Sequence, residues 1–269
     1  MQIGSFAAIS LIAMAVPALA VTTVTCPVSG PATIAAAGVY QLKSNLACTV
    51  SITSSGVALK LNGWTITPPG GSDGIDINTP PAGRLNHVTV QGPGLISVSG
   101  PANGIAILST DYSLIESVTI VGQSATSLIT AVGNTFLTVT SNVLARGNIG
   151  INISSCASCV ISSNDASGNF NGIAVTNGSN NTVNNNTANG NTSAGINIQS
   201  ETGTREYGNI TNGNGQIGIE VLGPGVEIFS NISSQANGTD DMLDFSSTCT
   251  GDYWANNVFL TSSPTTCIH

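Results

Sequence analysis

The chain has little charge of either sign, and least of all positive charge: five Lys and Arg face thirteen Asp and Glu, for a net charge of −8. The five bases, Lys43, Lys60, Arg84, Arg146 and Arg205, are scattered and cannot build a groove that tracks phosphates, so nucleic acid is excluded as a partner. Disorder is excluded as well, because disordered chains are poor in apolar residues and this one is 41% hydrophobic. Aromatic residues make up only 4%, which leaves few platforms for stacking a sugar ring. Histidine (two) and methionine (three) are too scarce for a soft-metal cluster. After residue 20 no apolar run approaches the ~18 residues of a membrane span. No segment there shows the 3.6-residue period of an amphipathic helix.

Residues 1–20, MQIGSFAAISLIAMAVPALA, run from an uncharged start through an apolar stretch to Ala18-Leu19-Ala20. That is the small-x-small end of a secretory signal, with the mature chain expected to start near Val21. No Lys or Arg precedes the stretch, which favours a eukaryotic, fungal-type route over bacterial export. The expected product is a secreted, extracellular monomer with no membrane contact after cleavage. Its cysteines, Cys26, Cys48, Cys156, Cys159, Cys249 and Cys267, are even in number, which in an oxidising compartment favours disulfides. Sequential pairing is preferred because each pair then closes a local loop. Cys156-Ala-Ser-Cys159 also has the form of a redox or zinc element, but no second CxxC exists and the only histidines are His87 and His269.

The body of the chain repeats. Gly74-Ile75-Asp76-Ile77, Gly104-Ile105-Ala106-Ile107, Gly150-Ile151-Asn152-Ile153, Gly172-Ile173-Ala174-Val175, Gly195-Ile196-Asn197-Ile198 and Gly218-Ile219-Glu220-Val221 follow at steps of 30, 46, 22, 23 and 23. A degenerate copy near Leu128-Ile129 splits the longest step, and Met242-Leu243-Asp244-Phe245 is read as a worn copy 24 residues after the last. Apolar residues alternate within each tetrad, the period of a strand. Asn, Gly, Ser and Thr fill the intervals, the residues of turns. Short strands at this period without helices describe an all-β parallel solenoid whose coils stack ~4.8 Å apart, eight or nine coils giving a rod of roughly 40 Å.

Asn142, Asn164, Asn186, Asn209 and Asn231 recur at steps of 22, 22, 23 and 22, which predicts a ladder of stacked amides along the axis. Asn209 and Asn231 sit in glycosylation sequons that such a ladder would hide, whereas Asn177 and Asn237 head sequons expected to be accessible. Residues 21–56 are read as an N-terminal cap, 57–245 as coils and 246–269 as a C-terminal cap carrying Trp254, Phe259 and Cys249/Cys267. Caps are needed because an open end exposes a strand edge and the core.

The Gly-Ile tetrads with Asn-rich turns resemble the right-handed parallel β-helix repeat proteins of pectin-lyase-like fold. Leu59-Lys60-Leu61-Asn62-Gly63-Trp64-Thr65-Ile66 looks like that family's first-coil signature, and the tail from Asp241 through Trp254 to Ile268 is similar to a cap of secreted bacterial members. The resemblance implies handedness and a polysaccharide partner, with lyase or glycoside hydrolase chemistry as the enzymatic options. Yet Gly-His-Gly, Arg-Ile-Lys and Asp-Pro-His are all missing, and only Asp240-Asp241 resembles a hydrolase element. A non-catalytic structural or surface-interaction role is the alternative. A copper-processing role within the same fold is set aside for want of His and Met, and an ice-binding role because Thr65-Ile-Thr67 and Thr138-Val-Thr140 do not recur in every coil.

Within the tetrads the third residue points outward, so Asp76, Ala106, Asn152, Ala174, Asn197, Glu220 and Asp244 are expected to share one outer face. Glu220 and Asp244, one coil apart, form the candidate catalytic pair, about 5–5.5 Å being the spacing of a retaining glycosidase. Asn197, Arg205 and Asp241 are the candidate substrate contacts, and Asp240 with Asp241 the candidate Ca²⁺ ligands. The wet polar surface of any solenoid is the plainer account of the same residues.

Overall fold

A computed structural model describes residues 20–78, 83–234, 237–245 and 249–268. The expected leader therefore lies, but for Ala20, outside the described residues, as does His269. Among the described residues every regular element is a strand, and every strand pairing is parallel. One sheet of eleven strands runs from Val21–Thr23 to Tyr253–Ala255, and one of thirteen from Ala32–Ile34 to Ser262–Ser263. A third, thinner face is a line of single bridges, Val143 to Asp165 to Thr187 to Ile210 to Ile232. The chain is a right-handed parallel β-helix of about nine coils. Residues 21–56 already contribute strands to both sheets, and the tail adds the last strand to each.

The isoleucine after each glycine lies directly over its counterpart. Ile75, Ile105, Ile129, Ile151, Ile173, Ile196 and Ile219 are consecutive partners in the thirteen-stranded sheet, all fully buried. The residue two positions on forms a second inner column, from Ile77 through Ile153 to Val221. The glycine itself is a matter of space. A Cβ at Gly150 would lie 2.6 Å from the Gly172 carbonyl oxygen and 2.9 Å from Asn169 Nδ2, so backbone and an amide already fill the side chain's place.

The expected asparagine ladder is present and continuous. Asn142 Oδ1 accepts from the Val118 amide at 3.0 Å, and Asn142 Nδ2 donates to the Ile115 carbonyl at 3.1 Å and to Asn164 Oδ1 at 3.0 Å. Asn164, Asn186, Asn209 and Asn231 repeat the pattern, and Asn257 ends it. Each amide thus satisfies a turn's backbone donor and acceptor where water does not reach. A second ladder, Asn169, Asn191, Asn214 and Asn237, runs beside it at the entry to the thirteen-stranded sheet. This corrects one expectation about sequons: Asn237 is held within that ladder, donating also to Asp241 at 2.7 Å, whereas Asn177 is exposed. The disulfides join Cys26 to Cys48, Cys156 to Cys159 and Cys249 to Cys267, in sequential order.

One inward position breaks the apolar rule. Glu206 sits between Val183 and Ile228 in an inner column, fully buried, and neither carboxylate oxygen has a hydrogen-bond partner. Burial pushes its carboxyl up to about 8. An acid that keeps its proton in the folded state while the unfolded chain releases it near its ordinary value of 4.5 makes stability fall as pH rises between those values. We expect chemical denaturation to show stability declining from pH 5 to pH 8 with a slope of up to about 1.4 kcal/mol per pH unit, and Glu206→Val to raise stability and flatten that slope. Asn186→Ala removes four buried hydrogen bonds, with the Asn164 amide and Nδ2, the Ile161 carbonyl and Asn209 Oδ1, and is expected to cost about 3 kcal/mol or more in the same assay. Asn177→Ala is expected to cost about 1 kcal/mol, losing only asparagine's tolerance of the left-handed backbone at φ 58°.

Candidate functional site

The outer column of the thirteen-stranded sheet forms largely as expected. Asp76, Ala106, Thr130, Asn152, Ala174, Asn197 and Glu220 are consecutive partners, Thr130 standing in the degenerate coil. Asn197 Nδ2 donates to Glu220 Oε2, so these two side chains meet on the surface. Asp76 is partly buried, and burial together with the charge of Asp73 raises its carboxyl above the ordinary range.

The last coil corrects the candidate catalytic pair. Glu220 is opposite Leu243, and Asp244 is opposite the inward-facing Val221. The true successor of Ile219 is Met242, and because strand side chains alternate, a slip of one residue turns Asp244 to the inside. Asp244 is buried and accepts a 3.0 Å hydrogen bond from Trp254 Nε1. Its acidic neighbour is Asp252, whose carboxyl burial and the charge of Asp244 push up to about 6. The two acids belong to the plug at the C-terminal end.

The remaining acidic candidates disperse in the same way. Asp241 is buried, accepting from Asn237 Nδ2 at 2.7 Å and from the amides of Leu260 and Thr261 at 2.7 and 3.0 Å, so its oxygens hold the final strand in place. Asp240 is partly exposed beside it. Among the described residues no three His, Cys, Asp or Glu side chains converge as metal ligands, and both carboxylate oxygens of Asp241 are engaged by Asn237 and by the amides of Leu260 and Thr261. A cleft of about 440 Å³ opens at the first coil between Cys26–Pro31, Ala47–Thr49, Pro69 and Ser72, a lining without acid or base.

Arg205 lies on the eleven-stranded sheet and does not share a face with Asn197 and Glu220. There it has other company. Arg205 Nε donates to Glu227 Oε2 at 2.8 Å, its guanidinium carbon stands 5.5 Å from the Phe229 ring centroid, and Phe229 stacks on Tyr207 at 5.0 Å with planes 11° apart. Tyr253 follows Glu227 in the next coil, 61% exposed. These side chains face outward because Glu206, Ile228 and Trp254 take the inward positions between them. Preceding coils extend the face with Thr138, Val160 and Thr182 in one column and Thr140, Ser162 and Asn184 in another, short and mostly polar side chains that leave it flat. The scarcity of aromatics concealed this cluster, although the 22-residue step from Tyr207 to Phe229 is that of one coil.

The model of a family described as periplasmic copper-binding protein (NosD) matches residues 86–264. The chain belongs to the NosD family. The family match agrees with the β-helix resemblance of the repeats, and it shows that scarce His and Met argue against a copper-processing role without arguing against membership of the family. All six cysteines of this NosD-family chain are in disulfides, Met242 is sealed in the core, and His87 stacks on Tyr112. Among the described residues this donor set does not fit copper.

Solved structures agree on the fold. DFA-IIIase from Arthrobacter chlorophenolicus A6, without its lid, is 12% identical with a TM-score of 0.66, covering 82% of this chain and 70% of that one. The Dettilon tailspike protein is 16% identical with a TM-score of 0.61, covering 90% of this chain, which spans 54% of the tailspike. Identities this low establish a common β-helix and nothing about the site. No curated protein sequence matches the chain.

The corrected register has a direct test. Asp244→Ala leaves the Trp254 indole N–H without its buried acceptor and is expected to cost about 1–3 kcal/mol in thermal or urea melts. Glu220→Gln, on the surface, is expected to stay within about 0.5 kcal/mol.

Proposed function

We propose that this chain is an extracytoplasmic β-helix protein that binds polysaccharide along the outer face of its eleven-stranded sheet without cleaving it. The observation that carries the reading is the Arg205–Glu227–Tyr207–Phe229 cluster on an otherwise flat, hydroxyl- and amide-lined surface. Tyr207 and Phe229, partly exposed and stacked on one another, offer the apolar edge of a two-ring stack to the C–H groups of a sugar, while a salt-bridged guanidinium and carboxylate present donors and acceptors to its hydroxyls. Three disulfides suit an oxidising compartment, and the family's description as periplasmic points the same way. The glycosidase reading loses its candidate pair, because Glu220 faces outward while Asp244 is turned inside. Copper has no part in the proposal.

Affinity electrophoresis through a panel of soluble polysaccharides tests it. The wild-type protein is expected to be retarded by at least one, and Tyr207→Ala or Phe229→Ala to weaken that retardation about tenfold while leaving the melting transition in place. Neither new reducing ends nor unsaturated products should appear. Retardation by none of them, or turnover abolished by Glu220→Gln, would overturn the reading.

A further inference from the structure

At the corner that leads into the eleven-stranded sheet, each coil places one residue in the left-handed backbone region. Backbone hydrogen bonds put His87, Tyr112, Phe136, Ser158, Asn180 and Gly203 in one column, with φ of 53°, 50°, 53°, 55°, 53° and 66°. Ser, Asn and Gly are the ordinary occupants of such a position, and a bulky aromatic is an outlier there. Yet three consecutive coils carry a ring. The rings stack, His87 on Tyr112 at 5.6 Å and Tyr112 on Phe136 at 4.8 Å, but Tyr112 remains 57% exposed and Phe136 46%. Stacking between exposed rings returns about as much as the left-handed backbone costs, so the ladder gains the fold little.

Beside the rings, Arg84 clamps Asp111 with Nε at 2.9 Å and Nη2 at 2.7 Å, and Nη2 also reaches the Thr135 hydroxyl at 3.1 Å. The cation is therefore cancelled within the corner, as Arg205 is by Glu227 on the sheet. Both aromatic stations are charge-balanced on a protein of net charge −8, which repels a polyanion and suits a ligand without charge.

We infer that the His87–Tyr112–Phe136 corner is a second station for the same glycan, and that the glycan is an uncharged one long enough to reach both. The inference rests on the binding reading given above. Three coils separate Phe136 from the Tyr207 coil, and four residues separate the corner column from the Tyr207 column, so the two stations lie on the order of 20 Å apart.

The test uses uncharged cello-, xylo- and manno-oligosaccharide ladders from the disaccharide upward, with an oligogalacturonate ladder as charge control, in titrations of the full-length protein. The wild-type protein is expected to show affinity that rises about tenfold or more once the oligosaccharide is long enough to span both stations. The double variant Tyr112→Asn/Phe136→Asn, which installs the residue the fold itself uses at position 180, is expected to lose that rise, keep short-chain affinity, and melt within about 4 °C of wild type. Retention of the rise in this variant, or tighter binding of the charged ladder, overturns the inference and leaves the Tyr207–Phe229 site intact. If the variant melts far lower, saturation transfer in the wild-type protein decides: contact between the longest bound oligosaccharide and the Tyr112 and Phe136 ring protons supports the second station, and its absence overturns it. Failure of the wild-type protein to bind any glycan would sink the binding reading itself, an outcome distinct from the others.

Discussion

Parallel pairing of each coil with the next, in an unbroken vertical register, is the constraint on which this molecule depends. A parallel sheet leaves no short hairpin to set the register, so something else must hold one coil over another. Two devices do so here. The inner isoleucines stack methyl on methyl in fully buried columns, and the asparagine amides at the turns tie the backbone of one coil to the amide of the next. The first device supplies apolar burial without direction. The second is directional, because an amide shifted by one residue would leave a buried donor and acceptor unmatched. Together they explain why a chain with so few charges and aromatics keeps one structure.

The same register decides what the surface can do. On the thirteen-stranded face it brings Asn197 to Glu220 but then delivers Leu243, so the acids of the last coil point into the plug, where Asp244 holds Trp254 and Asp241 holds the amides of Leu260 and Thr261. On the eleven-stranded face it stacks Tyr207 and Phe229 and sets Arg205 against Glu227. The chemistry offered by the first face is hydrogen bonding, and that of the second adds apolar ring surface. Membership of the NosD family sits beside a donor set that does not fit copper among the described residues, so fold and family carry over to this chain further than the metal in the family's description does.

Much of the fold was legible because periodicity and physics coincide. Alternation within Gly-Ile-x-apolar assigns inside and outside, and the recurring Asn reports an axial ladder. The second ladder was equally written at Asn169, Asn191 and Asn214, and was missed because Asn is abundant enough to hide one series behind another. The site was less legible. Counting 23 residues from Ile219 leads to Met242, yet the absence of a glycine before it drew the reading one residue along and turned Asp244 outward. Arg205 does not join the Asn197–Glu220 face because the irregular segment before it, Glu201-Thr202-Gly203, is a corner into the eleven-stranded sheet, with the buried Glu201 carboxylate accepting from Asn181 and Thr204.

The sequence by itself determined the solenoid, its period, its inner column and one amide ladder, all properties of local pattern repeated at constant spacing, whereas the preferred pairing of the cysteines was settled by the structure. Only the tertiary structure decided which outward residues become neighbours, and therefore which acids are plug and which aromatics are surface. The physical reason is that side-chain direction in a strand has a period of two, so a shift of one residue within a strand exchanges inside for outside, whereas the turns absorb an added residue, as the 22- and 23-residue steps from Ile151 to Ile173 and Ile196 show.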